Sequence, residues 1–100
     1  VGFVRRERLP DGPRPEGYAP FPPDLAVEVR SPGDRKADIE DKLARYRRGG
    51  VPLIWWVDPR RRRVSVYRQG ALVAELGEGD ILDGEDILPG FRLPVADIFA

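Results

Sequence analysis

Two short apolar runs, Leu25-Ala26-Val27-Glu28-Val29 and Leu53-Ile54-Trp55-Trp56-Val57, flank a charged stretch of helical pattern from about Asp34 to Arg48. Runs of that length joined by a helix predict a βαβ unit, with strands over Leu25–Arg30 and Leu53–Val57 lying as parallel neighbours. A right-handed crossover is expected. Along the first strand Leu25, Val27 and Val29 face one side, and Asp24, Ala26, Glu28 and Arg30 the other. On the helix, Ile39, Leu43 and Tyr46 recur at i, i+4 and i+7, which predicts an apolar stripe packed on the sheet and closed to solvent. Ser31 or Asp34 is expected to cap the helix, and Gly49-Gly50 to end it with one glycine in the left-handed conformation. Glu28 is the misfit. A carboxylate between Val27 and Val29 in a central strand is costly unless something pairs with it.

The remaining elements follow from local pattern. Val1 to about Arg6 reads as a strand. Residues 9–23 hold six prolines and read as a loop, which Tyr18 and Phe21 would pin to the body. Asp58-Pro59 and the run Arg60–Arg63 turn into an alternating strand from Val64 to Arg68, and Gln69-Gly70 turns into another over Ala71–Leu76, antiparallel additions to the sheet. Gly77–Asp86 is acidic and glycine-rich, hence loop. The tail from Ile87 docks apolar groups despite its prolines.

With 17 basic and 17 acidic residues the chain is neutral, yet residues 1–70 carry 16 Lys/Arg against 10 Asp/Glu. The basic majority is a weak pointer to a polyanion, weighed against plain solvated surface. One hundred residues suffice for one domain. There is no cysteine and no histidine, which excludes thiolate or imidazole metal sites and His-based acid/base chemistry within these residues. A metal would be held by oxygen, favouring magnesium, manganese or calcium. No apolar run reaches membrane-spanning length, so a cytoplasmic protein is the default.

The chemistry open to the chain is therefore that of carboxylates, lysines and arginines. Asp24 and Glu28 share a strand face, but four residues of strand span roughly 13 Å, whereas two ligands of one hard cation sit about 3 Å apart. The partner of Glu28 is expected from an adjacent strand, about 4.8 Å away. Lys42 falls about 60° to one side of Ile39 on the helix, at the border of the sheet-facing side. Against a functional role stand two bland readings: an ion pair of Lys42 with Asp38 on the helix surface, and a structural pair of Glu28 with Arg30 or another basic group. Trp55 and Trp56 point to opposite faces and read as core.

These residues resemble a known family. Pro23-Asp24-Leu25-x-Val27-Glu28-Val29-x-Ser31-Pro32, the helical Asp41-Lys42-Leu43-x-x-Tyr46, then Gly50-Val51-Pro52-x-x-Trp55-x-Val57-Asp58-Pro59 and Leu88-Pro89-Gly90-Phe91-x-Leu93-Pro94 are similar to the Uma-two family. That family of bacterial endonucleases belongs to the PD-(D/E)XK, restriction-endonuclease-like superfamily. The resemblance implies an α/β fold: a restriction-endonuclease-like mixed β-sheet with a parallel βαβ core and antiparallel strands added, flanked by helices. It further implies cleavage of DNA phosphodiesters with Mg²⁺ or Mn²⁺, Glu28 being a metal ligand and catalytic residue and Lys42 its catalytic companion. Arg30, Ser31, Arg35, Arg45 and the Arg60–Arg63 run would contact DNA phosphates, with Asp24 and Asp38 as weaker site candidates. DNA is the implied partner, and a homodimer is allowed.

Two departures stand out. The superfamily's Glu-x-Lys reads Glu28-Val29-Arg30 here, and arginine cannot serve as a base. The family's first catalytic Asp would fall immediately before Val1. Together with the absence of methionine, this predicts that residues 1–100 are the C-terminal portion of a nuclease-like domain whose N-terminal part is absent, and that the fragment alone is inactive. The competing expectation is a catalytically inactive nuclease-fold module for DNA or protein interaction, and a third is a structural domain that satisfies Glu28 internally.

Overall fold

The computed structural model describes residues 2–3 and 23–100. The expectations for residues 4–22, with the pins Tyr18 and Phe21, lie outside the described residues. Five strands form one mixed sheet in the order β1-β2-β3-β4-β5: β1 (Gly2–Phe3), β2 (Leu25–Val29), β3 (Leu53–Asp58), β4 (Arg63–Arg68) and β5 (Ala71–Leu76). β2 and β3 are parallel, with Glu28 opposite Trp56, and β1, β4 and β5 are added antiparallel. The βαβ unit is completed by α1 (Lys36–Arg48).

β3 is the hydrophobic axis. Leu53, Ile54, Trp55, Trp56 and Val57 are all buried, because both faces of this strand are covered. Leu53, Trp55 and Val57 join Leu25, Val64 and Val66 on one face; Ile54 and Trp56 join Ala26 and Val51 on the other. The second face lies under α1, whose Ile39, Leu43 and Tyr46 pack against that cluster. The stripe is the expected one, but it is half-buried rather than closed to solvent; no α1 residue is fully buried. A single helix laid on one face shields only the side of each residue that touches the sheet.

Local chemistry moves some boundaries. The helix starts at Lys36, and neither Ser31 nor Asp34 caps it: Asp34 instead accepts the Ser31 amide at 2.8 Å, closing the turn that precedes the helix. The first turn is supported by Asp38, which accepts the Arg35 amide at 3.4 Å. At the other end Gly50 takes φ 77°, Val51 N–H donates to the Tyr46 carbonyl at 3.0 Å and Gly50 N–H to that of Arg47 at 3.1 Å, a glycine-dependent helix stop. Gln69 and Gly70 both have positive φ, 52° and 79°, the two-residue turn whose twist suits a hairpin.

The acidic stretch expected as loop contains a strand. β6 (Ile81–Asp83) pairs antiparallel with β7 (Arg92–Pro94), and the chain continues into a helical turn, α2 (Val95–Ile98). Leu82, Ile87 and Val95 of this region are buried against the face of the sheet opposite α1. The ring of Phe91 stacks on Trp55 at 5.5 Å. The acidic residues of this stretch are exposed while Leu82 turns inward, so a segment that looks polar on average still anchors to the core.

Leu53 is fully buried and Leu43 only partly so. Leu53→Ala is expected to cost about 2–5 kcal/mol, and Leu43→Ala clearly less, as read from urea denaturation midpoints; equal losses would show that α1 buries Leu43 as fully as the strand buries Leu53.

Candidate active site

Glu28 sits near the end of β2 on the α1 face, its side chain 15% exposed. Its hydrogen-bond partners among the described residues come from the helix. Lys42 Nζ donates to Oε2 at 2.9 Å, and the Tyr46 hydroxyl donates to Oε1. The reason lies in the crossover. α1 runs back across β2, and residues four apart on a helix stack on one face, so Lys42 and Tyr46 descend together onto the same carboxylate. Of the two bland pairings, the one of Lys42 with Asp38 is replaced, since Lys42 turns to Glu28. The pairing of Glu28 with a basic group is present, with Lys42 in the place of Arg30, which turns to Asp58 at 3.7 Å.

The electrostatics of the triad follow from burial set against hydrogen bonding. Burial pushes the Glu28 carboxyl up, but the hydrogen bonds from Tyr46 and Lys42 and the lysine's charge outweigh it and hold Glu28 below the ordinary 4.5. Burial first, and then the bond to Glu28, push the Tyr46 hydroxyl up to about 12. Glu28 is thus ionised at neutral pH, with an ammonium on one oxygen and a neutral phenol on the other. Such a site can stabilise charge and orient a polar substrate. In this arrangement Lys42 is a donor, suited to holding an anionic oxygen or a water rather than to removing a proton.

The other sequence candidates are dispersed. Asp24 is buried at the start of β2, its amide bonded to the Phe3 carbonyl at 2.7 Å, a full strand length from Glu28. Asp38 supports the first turn of α1. Arg45 pairs with Asp41 at 3.2 Å on the solvent side of the helix. Arg35 is exposed just before α1, and Ser31 is exposed in the preceding turn. Arg30 flanks the carboxyl end of β2. Trp55 and Trp56 are both core, as read from the sequence. Sequence reasoning counted Tyr46 only as part of the apolar stripe; its position four residues after Lys42 was the signal that it shares the lysine's target.

The pH dependence has two limbs. Because the folded Glu28 carboxyl is held low, its contribution to stability is present above the unfolded value and lost as pH falls through the folded one. Because Tyr46 is held high, its contribution is present below about pH 10 and lost as pH rises toward about 12. In Tyr46→Phe the alkaline loss should shrink to that from Tyr67, whose hydroxyl is also pushed up by burial, and the acid loss should become smaller as the Glu28 carboxyl moves up toward its unfolded value. Stability–pH curves from chemical denaturation test this; superimposable curves would mean that the hydroxyl does not engage Glu28.

The family described as "Uma2: Putative restriction endonuclease" matches residues 1–96. A crystal structure from Anabaena variabilis ATCC 29413, described as a "putative nuclease", aligns with a TM-score of 0.69 and 20% identity, covering 79% of this chain and 45% of its own. At that identity the likeness is one of fold, and this chain spans less than half of that protein's length. No curated protein matches the sequence. The mixed open sheet agrees with the nuclease-like fold, and the family match covers nearly the whole sequence: the chain belongs to the Uma2 family of restriction-endonuclease-like proteins.

Proposed function

We propose that the protein is a divalent-metal-dependent endonuclease that hydrolyses DNA phosphodiester bonds, with Glu28 and Lys42 at its reacting centre. The observation that carries this reading is an ionised, mostly buried carboxylate on the central βαβ unit with a lysine 2.9 Å away. Glu28 fits Mg²⁺ or Mn²⁺ in kind, being a hard oxygen donor kept charged. It does not complete a site: among the described residues no group of three His, Cys, Asp or Glu comes together. When bound, such a cation supplies an activated water and neutralises phosphate charge, and Glu28 would be one of its ligands. Lys42, as an ammonium, would hold a phosphate oxygen or the attacking water. Tyr46 would fix the orientation of Glu28 and keep it anionic. No described helix is long and apolar enough to cross a membrane, and we place the activity on DNA in the cytoplasm.

A second reading has its own support. Both Glu28 oxygens are already satisfied within the chain, and Arg30, at the position of the superfamily's strand lysine, is turned to Asp58. These features suit a module that keeps the nuclease fold without cleavage, since fold alone does not fix function.

In the full-length protein, Glu28→Gln should abolish Mg²⁺-dependent nicking of plasmid DNA while leaving the fold intact. Lys42→Ala should lower the rate yet retain Mn²⁺ binding, and Lys42→Arg should restore it in part. Wild-type cleavage rates in both Glu28→Gln and Lys42→Ala would overturn the assignment. A wild-type protein that neither binds Mn²⁺ nor cuts DNA would favour the non-catalytic module.

A further inference from the structure

The arginine run between β3 and β4 is not one surface. Arg62 takes φ 55° at this turn, which swings its side chain away from its neighbours. It pairs with Glu78, donates to the Phe99 carbonyl at 3.3 Å, and lies 5.7 Å over the Phe99 ring. That arginine is tied to the C-terminal segment. Arg60, Arg61 and Arg63 go the other way. They line two adjoining recesses of about 850 and 860 Å³ that share Arg30, Asp58 and Arg61. One recess opens outside the carboxyl ends of the parallel strands β2 and β3, a usual place for ligands in open α/β sheets. The other continues over the exposed α1 face of β4 and β5.

The charge in this trough is net positive, most clearly at its carboxyl end; the recess beside α1 sets Arg30, Lys36, Arg61 and Arg63 against Glu40, Asp58 and Glu75. Asp58 is shared between Arg30 at 3.7 Å and Arg61 at 4.0 Å, both long contacts. Arg60 and Arg63 make no ion pair among the described residues and are exposed. The carboxyl-end recess holds three arginines against one aspartate. Guanidinium groups spaced along an open channel suit a chain of phosphates better than a single small anion, because each can take one phosphate while its neighbours remain solvated. Arg30 begins this channel two residues beyond Glu28, roughly 7 Å along the strand.

We infer that Arg60, Arg61 and Arg63, with Arg30, form a track for the sugar–phosphate backbone of duplex DNA at the carboxyl ends of β2 and β3, and that Arg62 is a structural residue excluded from it. The inference rests on the proposed nuclease reading for its substrate but not for its measurement. Binding of a short DNA duplex is measured in EDTA, where no cleavage occurs, across a salt series. Removing one arginine that neutralises a phosphate should lower the magnitude of the log K against log[salt] slope by about 0.9. Arg60→Ala/Arg63→Ala should therefore lower it by about 1.8, and weaken binding at low salt roughly tenfold or more. The charge-matched Arg48→Ala/Arg62→Ala, one change at the far end of α1 and one in the tethered arginine, should leave the slope at the wild-type value. Melting temperatures of both variants confirm that they are folded. Equal slope changes in the two double variants would overturn the track as nonspecific charge. Wild-type slopes in Arg60→Ala/Arg63→Ala, or no duplex binding by the wild type, would also overturn it and leave the arginines to an acidic protein partner. The predicted slope change in a protein that does not cleave DNA would uphold the track while the catalytic reading fails.

Discussion

Everything in this structure is hung on β3 being buried on both faces. A strand with no solvent face must find a cover for each side, and the chain supplies two different ones. α1 covers the side of Ile54 and Trp56, while β6, the segment 87–91 and α2 cover the side of Leu53, Trp55 and Val57. The parallel register with β2 follows from the same requirement, since a parallel pair needs a crossover and the crossover is the helix that covers the face. Glu28 is brought opposite Trp56 by that register. It lies beneath the helix because the covering element has to pass over β2 to reach β3.

The site is a consequence of this cover. A carboxylate under a helix needs partners, and the helix brings them at a four-residue spacing. Leaving Glu28 with only one of them would leave part of a part-buried charge unsatisfied, which costs more than a fully exposed ion pair contributes. The same triad therefore serves the fold and the chemistry. Its contribution to stability depends on Glu28 staying ionised, and its proposed role with a metal ion depends on the same condition.

The two sides of α1 divide the labour. Lys42 and Tyr46 attend to Glu28, while Ile39 and Leu43 line the recess on the β4 side with Arg61 and Arg63. A half-buried apolar stripe, a weakness if the helix were only a cover, leaves room for that recess. The run of four arginines illustrates how little a charge count conveys. One positive φ sends Arg62 to the C-terminal segment and leaves its neighbours on the open channel.

The βαβ core, its strand faces, the helix stripe and the glycine stop were all legible in the sequence, because each rests on local periodicity or on a backbone conformation that glycine favours. The misfit of Glu28 was legible too, since a charge in an apolar run is anomalous wherever the run is placed. The family resemblance pointed to Lys42 as the companion of Glu28, and tertiary structure decided the contact itself and added Tyr46. Lys42 and Tyr46 are 14 and 18 residues away, and only the crossover's path over β2 selects them above Arg30 and the neighbouring strands. The β6–β7 pair was hidden for a related reason. Strands of three residues carry too little alternation to stand out from an acidic, glycine-rich stretch, and they exist because Leu82, Ile87 and Val95 have a buried face of the sheet to meet.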